Sequence, residues 1–135
     1  DITTGENRVR ALLPNAYMQG ECAGMHMAAG DGHLYNKAIP MNAIGFFGYH
    51  VLTAGSYIGD SYTVEDGESY KRLFVKDNVL KGYILIGEVE RAGIYTSLIR
   101  EQTPLDTLDF ELIKEKPQLM AFTRRERVKV LAGQD

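Results

Sequence analysis

The chain has 135 residues, 44% hydrophobic and 24% charged, with a formal net charge of −3 and a pI near 5.6. That is enough apolar side chain for one globular domain with its own core, without disulfide or metal staples. The acidic balance excludes a nucleic-acid surface built from clustered Lys and Arg, and the one basic cluster (Arg124, Arg125, Arg127 and Lys129) is interrupted by Glu126 and reads as a solvated helix face.

In chain order, Asp1 to Arg10 is polar and contains Gly5 and Asn7, a loop or frayed end. The start at Asp1 rather than Met leads us to expect a piece cut from something longer or processed, and no charged-then-apolar leader opens it. Asn15 to Ala29 is a predicted helix, with Pro14 suited to a first turn and Gly30 to a C-terminal cap. Gly20 and Gly24 within it leave room for another backbone or a ligand to come close. Cys22 is the only cysteine and has no CxxC partner, so neither an internal disulfide nor a zinc pair is available, and a reducing, cytoplasmic compartment is expected.

Asp31 to Pro40 reads as a connector. Ala43 to Tyr57 is rich in Ile, Phe, Tyr, Val and Thr with Gly45, Gly48 and Gly55 interleaved, which predicts a strand with bulges or a bend. The apolar stretch Ala38 to Ile58 is too interrupted, by Pro40, Asn42, three glycines and His50, for a membrane span. Asp66-Gly67 is a turn signal. Tyr70 to Lys76 and Val79 to Ile86 form a predicted hairpin around Asp77-Asn78, two residues that tolerate left-handed backbone. Leu73 and Val75 mark the buried face of its first arm. Tyr83-Ile84-Leu85-Ile86-Gly87 is apolar on both faces and should be a central strand. Ala92 to Glu101 is a predicted helix with Ala92, Tyr95, Leu98 and Ile99 inward. A second helix is predicted from Asp106 or Thr107 to Pro117, with Leu108, Leu112 and Ile113 inward, and a last short one over Thr123 to Leu131. Helix, strands, then helices specify an antiparallel sheet with helices packed on it, the α+β class.

Chemistry-bearing residues are sparse. His26, His33 and His50 share no metal-ligand spacing with a carboxylate or cysteine. Glu65, Asp66 and Glu68 surround a turn glycine, Glu88 and Glu90 mark a strand end, and Cys22 sits among small apolar residues with no cation to lower its pKa. Gly45 and Gly48 fall inside a strand-like run and make no dinucleotide fingerprint. Residue chemistry alone yields a soluble α+β domain and no reaction.

Two segments add a resemblance. Leu13-Pro14-Asn15-Ala16-Tyr17-Met18-Gln19-Gly20, with Ala23-Gly24 downstream, resembles a helix near the C-terminal end of the FAD domain in pyridine nucleotide-disulfide oxidoreductases. Ala38-Ile39-Pro40, Phe46-Phe47-Gly48, Leu80 to Gly87 and Ala92 to Arg100 are similar to the C-terminal domain of the NADH-rubredoxin reductase and nitrite reductase branch. The resemblance implies residues 1–37 as the tail of the FAD-binding domain and 38–135 as a C-terminal interface (dimerisation) domain. It implies a parent enzyme that binds FAD and NAD(P)H and passes electrons to an acceptor, with Asn15, Ala16 and Gln19 nearest FAD and no catalytic residue or metal ligand in this piece. Met41 and Asn42 stand where many relatives place aromatic residues beside the cofactor. The implied partners are the remainder of the flavoprotein chain, a homodimer mate, and a redox-protein acceptor or partner subunit. The missing Gly-rich FAD and NAD fingerprints, Gly-Asp motif and redox Cys pair are expected upstream of Asp1.

Two rivals stand beside this reading. A stand-alone interaction or assembly module without flavin is favoured if the Gly20/Gly24 face packs on the chain's own sheet. A small enzyme is favoured by a pocket with convergent acid, base and nucleophile.

Overall fold

The computed structural model describes residues 1–30, 32 and 34–123. The first helix, α1, spans Leu13–Ala29 and carries Pro14 in its first turn, where a missing N–H removes no helix bond. It ends at Gly30, whose positive φ of 80° suits glycine and whose N–H closes on the His26 carbonyl.

Five strands follow in one antiparallel sheet: β1 (Met41–Phe46), β2 (Tyr49–Gly55), β3 (Asp60–Asp66), β4 (Ser69–Lys76) and β5 (Val79–Ile86). Their spatial order is β1-β2-β5-β4-β3, which puts β5 in the centre, as its two apolar faces require. Then come α2 (Ala92–Glu101), a 3-10 turn at Leu105–Thr107, α3 (Phe110–Glu115) and a 3-10 turn at Leu119–Ala121. This is the expected α+β architecture. The expected Asp77-Asn78 hairpin turn is present, with φ of 55° and 60°, and α2 has the predicted bounds.

Two local expectations are corrected, and one strand is added to them. Ala43 to Tyr57 is not one bent strand but the β1–β2 hairpin, reversing at Phe47-Gly48 with φ of 47° and 84°. Phenylalanine carries no turn signal, so the reversal is invisible in the sequence. Asp60–Asp66 is a further strand; largely polar, it is an edge strand paired with β4 alone and needs little apolar content. The helix expected from Asp106 or Thr107 starts only at Phe110. Leu105–Thr107 forms the 3-10 turn, and Asp109 caps α3 by accepting the Leu112 N–H at 3.1 Å. The helix expected over Thr123 to Leu131, the basic cluster within it, and His33 lie outside the described residues.

Phe47 gives the first testable consequence. It is 88% exposed and left-handed, so its ring contributes no core burial while its Cβ strains the turn. Phe47→Asn should therefore raise the unfolding free energy by about 1 kcal/mol, read from a denaturant melt.

The core lies on one face of the sheet. The register aligns Leu52, Leu85 and Lys71 in one row and Ala54, Tyr83 and Leu73 in the next. Against these pack Ala92, Tyr95, Leu98 and Ile99 of α2 and Ile113 of α3. A register shift at Phe74/Val75 makes Lys81 an extra residue in β5, so Leu80 joins the same face and is fully buried. The opposite face carries Ile44, Phe46, Tyr49, Val51, Ile84 and Ile86. Among the described residues no helix buries it, and Ile44, Phe46 and Tyr49 remain exposed.

Candidate functional site

Asn15, Ala16 and Gln19 lie on the first two turns of α1 but in different environments. Asn15 is 0% exposed. Its amide donates to the Tyr35 hydroxyl at 3.0 Å and the Ile39 carbonyl at 2.9 Å. Ala16 and Gln19 are exposed, and the Ala16 N–H closes the first turn on the Leu12 carbonyl at 2.9 Å. No side chain caps this helix and its first turn has no acidic residue, so its amino end is open to an acceptor oxygen from elsewhere.

Beside Pro14 a largely apolar groove of about 300 Å³ is lined by Met41 and Ala43 of β1, Leu52 of β2, Tyr83 of β5 and Gly93 of α2. Five elements distant in sequence meet there, and no periodicity announces the meeting. On the α2 side the Tyr83 hydroxyl lies 2.8 Å from Thr96 Oγ1, whose own hydrogen goes to the Ala92 carbonyl.

Burial pushes the Tyr83 phenol up, partly offset by its bond to Thr96, and pushes Tyr95 further up, with Tyr62 and Glu88 adding to it. Both phenols therefore keep their protons in the fold at a pH where the unfolded chain, with tyrosines near 10.0, loses them. The stability they contribute is fully present below pH 10 and falls as the pH rises beyond it. Denaturant midpoints taken upward from neutral pH should decline above that point, less steeply in Tyr95→Phe.

A second, polar pocket of about 210 Å³ lies where α3 ends over β4 and β5. Both of its lysines are engaged. The Lys116 ammonium sits 3.6 Å from Glu88 and 3.8 Å from Glu90, and the Lys71 ammonium donates to the Glu115 carbonyl. Burial lowers the Lys71 pKa while Glu88 and Glu115 pull the other way. The Lys116 pairs and the Lys71 bond tie the end of α3 to the sheet, a structural role.

The remaining candidates stay apart. His50 is exposed on β2, His26 and Cys22 are half-buried on α1, and Glu65, Asp66 and Glu68 are exposed around the β3–β4 turn. Among the described residues no three His, Cys, Asp or Glu side chains are placed to hold a metal, and no helix is long and apolar enough to cross a membrane. A Cβ added at Gly20 or Gly24 would meet nothing within 4 Å, so the glycine face of α1 does not pack on the sheet. The condition that would favour a stand-alone module is not met.

Comparison with known proteins agrees with the fold. Residues 40–103, from the entry into β1 to just past α2, match the rubredoxin NAD+ reductase C-terminal domain. Over 113 residues the chain is 35% identical to the NADH-dependent phenylglyoxylate dehydrogenase subunit epsilon of Aromatoleum evansii, covering 78% of this chain. The chain spans only 27% of that relative's length. Residues 40–103 thus resemble the C-terminal domain of rubredoxin NAD+ reductase, and the two matches together support a C-terminal region of a pyridine nucleotide-disulfide oxidoreductase.

Proposed function

We infer that the chain is the C-terminal part of a cytoplasmic flavoprotein that takes electrons from NADH or NADPH through FAD to an acceptor, and that this part lacks a complete active site. The acceptor class spans a small redox protein, oxygen, a disulfide or another subunit. The observation that carries the reading is the exposure of α1. Leu13 is 85% exposed, Tyr17 73% and Met27 82%, and Asn15 is the helix's one buried residue. A helix with so little tertiary contact is marginal in water and calls for further chain to cover it. The relative, of which this chain spans about a quarter, has that chain to offer, and its name as a subunit supports partner subunits here too.

The residues present fit a flavin. When bound, FAD supplies the hydride acceptance and electron release. The uncapped amino end of α1 offers a positive dipole end to a carbonyl or pyrophosphate oxygen, Ala16 is small enough for close approach, and Gln19 follows one turn later. Pro14, Met41 and Ala43 supply an apolar wall beside it. In this reading residues 1–37 end the FAD domain, and 38–135 form the interface domain. That domain closes one side of the flavin site and turns its open sheet face to the remaining chain, a second copy or another subunit.

The test is the visible spectrum of the full-length protein before and after NADH. A flavin spectrum that bleaches is the expected result. A colourless protein that neither retains nor takes up FAD would sink the flavoprotein reading and leave the assembly module as the better account.

A further inference from the structure

Three consecutive carbonyls, those of Ala38, Ile39 and Pro40, each accept a hydrogen bond from a different segment of the chain. The Ile2 N–H reaches Ala38 at 2.8 Å, the Asn15 side-chain amide reaches Ile39 at 2.9 Å, and the Gly55 N–H reaches Pro40 at 2.9 Å. The terminal segment, the first turn of α1 and the end of β2 are therefore tied to one tripeptide at the entry to the sheet. Ala38 and Ile39 are buried, and Ile39 is part of the main core, so the tripeptide is a rigid anchor.

Of the three donors, Asn15 is the one side chain. The Ile39 carbonyl can only accept, which fixes the amide with its nitrogen toward the core and leaves Oδ1 buried without a partner. A position 0% exposed and filled by a half-satisfied amide is poorly explained by core packing alone, which an apolar side chain would serve. What the amide adds is direction. It pins the first turn of α1 to the core at one angle, with Tyr35 as second contact, while the rest of the helix stands clear of the sheet.

We propose that Asn15 is a positioning residue: it does not touch the flavin but sets the angle at which the amino end of α1 meets it, coupling the flavin site to the C-terminal domain. This rests on the flavoprotein reading above. The same residue that the family resemblance places nearest FAD thus acts through the helix it orients.

The test uses the full-length protein. Asn15→Leu removes both donated bonds while keeping the branching of the side chain, and Tyr35→Phe removes only the hydroxyl and serves as the milder variant should the larger leucine prevent folding. The readouts are the FAD dissociation constant after reconstitution, the visible circular dichroism of the bound flavin, and the thermal midpoint. Ile113→Val, buried in the core on α3 outside the α1 junction, is the control for stability loss alone. The expected result is FAD affinity about tenfold weaker in Asn15→Leu and a few-fold weaker in Tyr35→Phe, with altered flavin dichroism, while Ile113→Val moves only the thermal midpoint. Wild-type flavin dichroism and an FAD affinity within twofold in both variants would make Asn15 a structural brace and overturn the assignment alone. A full-length wild type that binds no FAD overturns it together with the reading on which it rests.

Discussion

Gly55→Ala is expected to lower the unfolding free energy by about 3 kcal/mol or more. Gly55 closes β2 with φ of 75°, a conformation that strains any residue bearing a Cβ. The added methyl would also sit 2.0 Å from the Lys81 carbonyl oxygen and 2.8 Å from Gly82 Cα, both backbone atoms of the facing strand. Lys81 is the bulged residue of β5, held by a 2.8 Å bond from the Ser56 N–H, so it cannot retreat without opening the β2–β5 ladder. The Gly55 N–H that reaches Pro40 would move as well. Gly67→Ala separates the two contributions. Its φ is +54°, but nothing lies within 4 Å of the new methyl, so only the backbone strain of about 1 kcal/mol should appear. Paired denaturant melts decide the matter, and equal losses at the two sites would show that the Lys81 contact does not matter.

Tyr95→Ala should cost about 3–5 kcal/mol, and Tyr95→Phe about 1–3 kcal/mol. The Tyr95 ring is 1% exposed and packs on Tyr83, with ring centroids 5.7 Å apart. Its hydroxyl donates to the Ile113 carbonyl at 2.8 Å. That carbonyl needs an outside donor because the residue four positions on is Pro117, which has no N–H to give. Tyr95 therefore joins the end of α3 to α2, and phenylalanine would leave a buried acceptor unpaired. A Tyr95→Phe protein as stable as the wild type at neutral pH would show that the Ile113 carbonyl finds another donor.

Legibility followed the length of the physical cause. The Asp77-Asn78 turn, α2 and the central place of β5 were readable because each depends on neighbours a few positions away: turn residues that accept positive φ, apolar spacing of three and four, an unbroken apolar run. The β1–β2 reversal was hidden because Phe47 takes the left-handed conformation without belonging to the residues that favour it. The strand β3 was hidden because its stability comes from pairing with β4 rather than from its own composition. The site was legible only in outline. The family resemblance drew attention to Asn15, Ala16 and Gln19, but nothing in their spacing separates a buried amide from two exposed neighbours.

By itself, then, the sequence determined the α+β class and most element types, which rest on local propensity and periodicity, and a family resemblance, which rests on the order of short motifs. Tertiary structure alone decided that Asn15 faces inward, that Ala38, Ile39 and Pro40 tie three segments together, and that Pro14 meets β1, β2, β5 and α2 around one groove. Those facts depend on contacts between residues 15 and 39, 2 and 38, and 40 and 55. Such partners are chosen by burial and hydrogen-bond satisfaction across the assembled fold, and no stretch of sequence carries that information alone.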